Sequence, residues 1–125
     1  MEMTMTPTMT ILYVRNAAES ADFYASLFDL APVERAETFS LFALPSGLVL
    51  GLWSVSGVEP ASLTTGGGCE LAIRAASAAE VDSLHAAWAA RGIPILQSPA
   101  TLEFGHTFTA TDPDGHRIRV FNPPS

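Results

Sequence analysis

Chemistry in this chain would have to come from a short inventory: His85, His106 and His116, a single cysteine (Cys69), 13 carboxylates and six arginines, with no lysine. Without lysine there is no Schiff-base catalysis and no phosphate-gripping P-loop amine. A lone cysteine allows neither an intramolecular disulfide nor a thiolate zinc cluster, and no cation beside Cys69 in the sequence would activate its thiol. No Gly-x-Ser-x-Gly elbow occurs, so no nucleophilic triad assembles. Gly66-Gly67-Gly68 neither matches a dinucleotide fingerprint nor opens a helix. Glu70 and His106 are the candidates for general acid–base work, but neither has a partner at a defined spacing. No residue is therefore assigned a catalytic role. Binding chemistry is better represented: in Leu48-Val49-Leu50-Gly51-Leu52-Trp53-Ser54 a glycine removes bulk one inward position before a tryptophan, a wall on which a flat ligand could stack.

The elements that must position these residues fall into two similar halves. Residues 8–14 are rich in β-formers, and Asn16 with Glu19 three positions on reads as the N-cap of a helix with apolar positions Phe23, Leu27 and Leu30. Strand-like runs follow at 31–36, 38–44 and 48–54. Residues 55–68, with Gly57, Pro60 and three consecutive glycines, read as a flexible linker. Then come a strand at 69–74, a helix at 77–91 and strands at 93–96, 105–111 and 116–121, with Asp112-Pro113-Asp114-Gly115 as the last turn. A shift of 61 residues lays Asn16-Ala17-Ala18-Glu19 on Ser77-Ala78-Ala79-Glu80, Phe23 on Leu84 and Leu27 on Trp88. Cap, helix core and element order agree, which predicts a duplicated β-α-β-β-β unit: module one at 8–54, linker at 55–68, module two at 69–121, in a single domain spanning 1–125.

Length and composition fit that reading. With 125 residues, 48% hydrophobic and 15% charged, the chain supports one ordinary apolar core without metal or disulfide staples. A formal charge of −7 with no basic cluster argues against nucleic acid as a partner. No apolar run approaches the ~20 residues that span a bilayer, so no membrane association is expected. Residues 1–8 lack the charged-then-apolar pattern of an export leader, and together with the lone cysteine this predicts a cytoplasmic protein.

Three segments together resemble the vicinal oxygen chelate superfamily, which groups glyoxalases, extradiol dioxygenases and bleomycin-resistance proteins. They are Ile11-Leu12-Tyr13-Val14-Arg15-Asn16 with its helix, Arg91-Gly92-Ile93 at the end of the second helix, and Thr111-Asp112-Pro113-Asp114-Gly115-His116-Arg117-Ile118-Arg119. The resemblance implies an α+β fold in which two β-α-β-β-β modules form a curved sheet around a cavity, usually completed by a homodimer. In metal-dependent relatives the ligands, histidine or glutamate, lie on the first and fourth strands of each module. Carried across, these positions are Met9, Gly51, Glu70 and Arg119, of which only Glu70 suits a divalent cation. The expectation is no metal and no cofactor, with a Glu70–Arg119 ion pair in place of ligand and metal.

Strand alternation then sorts the faces. Leu12, Val14, Leu50, Leu52, Leu71, Ile73, Ile118 and Val120 should face the helices. Met9, Ile11, Tyr13, Val49, Gly51, Trp53, Glu70, Ala72, Arg74, Arg117, Arg119 and Phe121 should lie on the concave side, with Arg74 and Arg117 solvated. Tyr13, Phe42, Trp53, Ser54, Glu70, Phe104, His106, Phe108 and Arg119 are the expected ligand-binding residues; Phe39 and Phe121 add further potential lining, and His116 is expected to be exposed. The segments around Tyr13, Trp53 and Phe104–Phe108 look most like phenazine-antibiotic resistance proteins. That likeness implies a non-catalytic binder sequestering a planar aromatic compound, or a bleomycin-like one. The alternatives are a lyase or dioxygenase whose metal is held by Glu70 with His106 or His116, and a cleft that accepts a peptide.

Overall fold

Two side-chain caps start the two helices found in the computed structural model, which describes residues 5–124; residues 1–4, part of the stretch read for a leader, and residue 125 lie outside it. Asn16 accepts the Glu19 N–H (2.9 Å) and Ser77 the Glu80 N–H (3.1 Å), each satisfying a donor that the helix leaves open. Glu80 reaches back to the Ala76 N–H (3.1 Å), a reciprocal contact of the capping-box kind. Helix α1 is Ala17–Phe28 and α2 is Ala78–Ala90. The buried stripe of α1 runs through Ala17, Ser20, Ala21 and Tyr24, with Phe23 only half-buried, so the core aromatic of this helix sits one position beyond the one expected. In α2, Val81 and Trp88 are buried. Neither helix is long and apolar enough to cross a membrane.

The chain divides into two compact units, Met1–Thr65 and Gly66–Ser125. In the first, β1 (Met9–Val14), β2 (Phe39–Ala43) and β3 (Val49–Ser54) form a mixed sheet of order β1-β3-β2, with β1 parallel and β2 antiparallel to β3. In the second, β4 (Glu70–Arg74), β5 (Ile95–Leu102), β6 (Gly105–Thr111) and β7 (Arg117–Asn122) form a mixed sheet of order β4-β7-β6-β5, with β4 parallel to β7. Alternation places the faces as expected. Leu12, Val14, Leu50, Leu52, Ile118 and Val120 are buried, while Met9, Ile11 and Arg117 are exposed.

Three expectations fail for local reasons. Residues 31–36 form only an isolated bridge, Glu34 to Leu41. Pro32 has no N–H to give a ladder, and the Ser40 hydroxyl takes both the N–H and the C=O of Ala36 (3.1 Å each) that a partner strand would have used. Strand β5 runs to Leu102 rather than ending at 96. Pro99 argues against a strand, but β5 is the edge of its sheet and its register shifts on both sides of Gln97, which is where a sheet tolerates proline. The 55–68 segment is not free at its ends. Val55–Gly57 makes a 3-10 turn, and Gly66 N donates to Asp114 O (3.3 Å), so close that a Cβ on Gly66 would lie 2.3 Å from the Gly115 carbonyl carbon.

Candidate ligand-binding site

In each unit the helix covers one sheet face, and the other face carries the side chains available to a ligand. In the first unit that face is apolar and aromatic. Register sets Tyr13 and Phe39 on either side of Trp53, and Ile11 and Leu41 on either side of Gly51. The Tyr13 ring meets Trp53 at 6.3 Å and 85°, and Phe39 meets it at 6.2 Å and 73°, both edge-to-face. Trp53 is half-buried. The space freed at Gly51 is occupied by its neighbours' tips: a Cβ there would lie 2.8 Å from Met9 Cε and 2.9 Å from Phe39 Cζ. The space that a side chain at Gly51 would take is therefore already filled by the ends of Met9 and Phe39.

The corresponding face of the second unit is polar. Arg119 Nε donates to Glu70 Oε1 (2.8 Å) and Nη2 to Oε2 (2.9 Å), a fork-to-fork pair joining β7 and β4. The third guanidinium nitrogen, Nη1, donates to Thr107 Oγ1 (3.2 Å) and to Gln97 Oε1 (3.5 Å), and the Phe104 ring lies 5.3 Å from the guanidinium carbon in cation–π geometry. Beside this pair, Leu96, Gln97, Leu102, Thr109, Arg117 and Arg119 line an open groove of about 370 Å³.

Hydrogen bonding from Arg119 holds the Glu70 carboxyl below the usual carboxylate range, outweighing partial burial, and the same pairing raises Arg119. A carboxyl depressed in the folded state adds stability that is present above its unfolded value and fades as pH falls through its folded value. The Glu70→Gln variant is therefore expected to lose about 1 kcal/mol at pH 7 and less at a pH below the ordinary carboxylate range. Urea denaturation midpoints at the two pH values read this directly.

Side chains on the metal-ligand positions do not suit a divalent cation. Both Glu70 oxygens accept from Arg119, a guanidinium has no lone pair to donate, and in the first unit Met9 and Gly51 offer a thioether and nothing. The histidines proposed alongside Glu70 are engaged elsewhere. His106 Nε2 lies 2.7 Å from Asp82 Oδ1 on α2 and its Nδ1 lies 3.2 Å from Thr101 Oγ1. His116 is buried rather than exposed: its turn is closed by Asp112, whose Oδ1 accepts the Asp114 and His116 N–H groups (2.8 and 2.9 Å).

Of the residues expected to bind ligand, Tyr13 and Trp53 stand together in the first unit, and Glu70, Phe104 and Arg119 in the second. Four others are corrected. Phe42 pairs with Leu50 and Phe108 with Val120 on the helix-facing side, and both are fully buried. Phe108 packs edge-on against Trp88 (5.2 Å) and His85 (5.4 Å). Ser54 is a buried brace, its hydroxyl accepting the Ala17 N–H (2.8 Å) and donating to the Glu37 carbonyl. His106 falls on the helix side of β6, where its clasp to Asp82 ties the hairpin to α2. Conversely, Thr109, Gln97, Leu96 and Leu102 line the groove without having been anticipated; Gln97 and Leu102 lie past residue 96, where the expected strand ends.

With this geometry in place, comparison with known proteins is informative. The sequence profile of the Glyoxalase/Bleomycin resistance protein/Dioxygenase superfamily matches residues 6–120. The phenazine antibiotic resistance protein EhpR of Enterobacter agglomerans is 33% identical over 120 residues, covering 94% of this chain and 92% of its own. Among solved structures, the solution structure of ATC0852 from Agrobacterium tumefaciens is 51% identical and superimposes with a TM-score of 0.89, covering 98% of this chain and all (100%) of its own. A glyoxalase-related enzyme from Fulvimarina pelagi is 25% identical with a TM-score of 0.83, covering 97% of this chain and 90% of its own.

Proposed function

Because the chain belongs to the glyoxalase/bleomycin resistance protein/dioxygenase superfamily, we propose that it is a metal-independent binder that sequesters a planar aromatic compound of the phenazine kind and so confers antibiotic resistance. The observation that carries this reading is the Tyr13–Trp53–Phe39 cluster on the helix-free face of the first unit. Its edge-to-face neighbours Tyr13 and Phe39 flank the half-buried tryptophan on the adjoining strands. A flat ring stacked on Trp53 gains buried apolar area plus about 0.5–1.5 kcal/mol of stacking. The likeness to EhpR supports the same ligand class. On the second unit the Glu70–Arg119 pair stands where metal-dependent members need donor ligands, which favours binding over metal-assisted turnover. Protection by such a protein is stoichiometric, through a lowered free drug concentration. A homodimer and a cytoplasmic location belong to the same proposal, and sedimentation and fractionation test them.

Titration of phenazine-1-carboxylate against tryptophan emission is the direct test. Binding with one-to-one stoichiometry per chain and no turnover is expected. Trp53→Ala should weaken it roughly 10-fold or more, as loss of stacking and buried area requires, while Trp88→Phe, in the buried core of the second unit, keeps the affinity. Unaltered affinity in Trp53→Ala removes this cluster from the site, and product formation in place of stoichiometric binding overturns the sequestration reading.

A further inference from the structure

We infer that the groove of the second unit is a carboxylate site, in which Arg117 and Thr109 receive a single anionic group carried by the ligand; this rests on, and narrows, the small-molecule reading above. Two arginines two positions apart on β7 share this face, and they differ in what remains free. Arg119 has its guanidinium committed on all sides, to Glu70, Thr107 and Gln97, with Phe104 over its plane. Among the described residues Arg117 makes no hydrogen bond or ion pair, although its side chain lines the groove and is close enough for its charge to help depress Glu70. Glu70 and Arg119 pair with each other, which leaves Arg117 a positive charge without an ion pair among the described residues, in a chain whose net charge is −7.

The second, independent observation is Thr109. It lines the same groove, is 1% exposed, and its Oγ1 has no hydrogen-bond partner among the described residues. Buried hydroxyls are almost always paired, because burial strips them of water without return. An orphan hydroxyl in the wall of a groove that an unpaired guanidinium also lines is a donor held in place for an oxygen that arrives with a ligand. Arg117 is exposed and its side chain makes no hydrogen bond among the described residues, so its guanidinium can turn toward an anion that enters.

The same wall sets the ligand class. One guanidinium and one hydroxyl match a single carboxylate, whereas a phosphate dianion or polyanion would meet the chain's overall negative field with too few donors. Leu96 and Leu102, 54% and 40% exposed, offer apolar contact beside the carboxylate.

Calorimetric titrations with phenazine-1-carboxylate, its neutral carboxamide and benzoate test this, with chemical-shift mapping of the Thr109 and Arg117 amides. The wild-type protein should prefer the acid to the amide by roughly 10- to 100-fold, the range of a charge-assisted pair. Arg117→Met should abolish that preference. Thr109→Val should weaken the acid while raising the Tm of the ligand-free protein, because the orphan donor is gone. Equal affinity for acid and amide, or an Arg117→Met protein that still prefers the acid, overturns the carboxylate site and leaves the planar-ligand reading standing. Benzoate shifts at Thr109 and Arg117 without phenazine binding support the site and sink the phenazine reading. Absence of binding by all three compounds overturns both.

Discussion

Phe108→Ala is expected to cost about 3–5 kcal/mol of stability. The ring is fully buried, meets Trp88 and His85 edge-on, and stands opposite Val120 in the adjoining strand. Deleting it removes apolar area, two aromatic contacts and the filler between α2 and the β6–β7 pair, leaving a cavity that close-packed neighbours cannot close. Denaturant midpoints, at unchanged m-value, measure the loss. The molecules that remain folded should bind phenazine-1-carboxylate as tightly as the parent, because Phe108 faces the helix. A variant that keeps its stability but loses ligand affinity would return Phe108 to the site.

Gly105→Ala carries the second large effect, estimated at about 3 kcal/mol or more from backbone strain and overpacking together. Gly105 adopts φ +130°, and a Cβ there would lie 2.0 Å from the Asn122 carbonyl oxygen and 2.8 Å from Pro123 Cα. These are backbone atoms of the neighbouring segment and cannot rotate away. Relief requires the start of β6 to lift from the end of β7, which displaces Phe104 from the Arg119 guanidinium and His106 from Asp82. Gly47→Ala isolates the backbone-strain part, since Gly47 also has positive φ (+101°) but open space around its Cβ; it should cost only about 1–2 kcal/mol. Thermal unfolding of the two variants gives the comparison, and equal losses would mean that the Asn122 contact contributes nothing.

Much of the fold is legible in the chain because its cues are local. Asn16 and Ser77 each sit three residues before a glutamate whose N–H they accept. Alternation alone separates Leu50 and Leu52 from Gly51 and Trp53. The Glu70–Arg119 pair follows from knowing that β4 and β7 lie side by side, since both residues then fall on one face. Where the cue is local but ambiguous, the reading slips. Pro99 looks like a strand breaker until β5 is known to be an edge, and His116 beside Gly115 looks exposed until the Asp112 turn is seen closing over its backbone.

The amino-acid sequence by itself determined the superfamily, the paired β-α units, the helix caps, the tryptophan two residues after a glycine and the residue types at Met9, Gly51 and Arg119. Each of those depends on residue type or on spacing within one element. Only the tertiary structure decided which aromatics are core and which face outward, that His106 answers to Asp82, and that Arg119 is fully bonded while Arg117 and Thr109 are not. Those outcomes depend on which donor meets which acceptor across strands distant in the chain, and pairing of that kind exists only once the sheet has chosen its register.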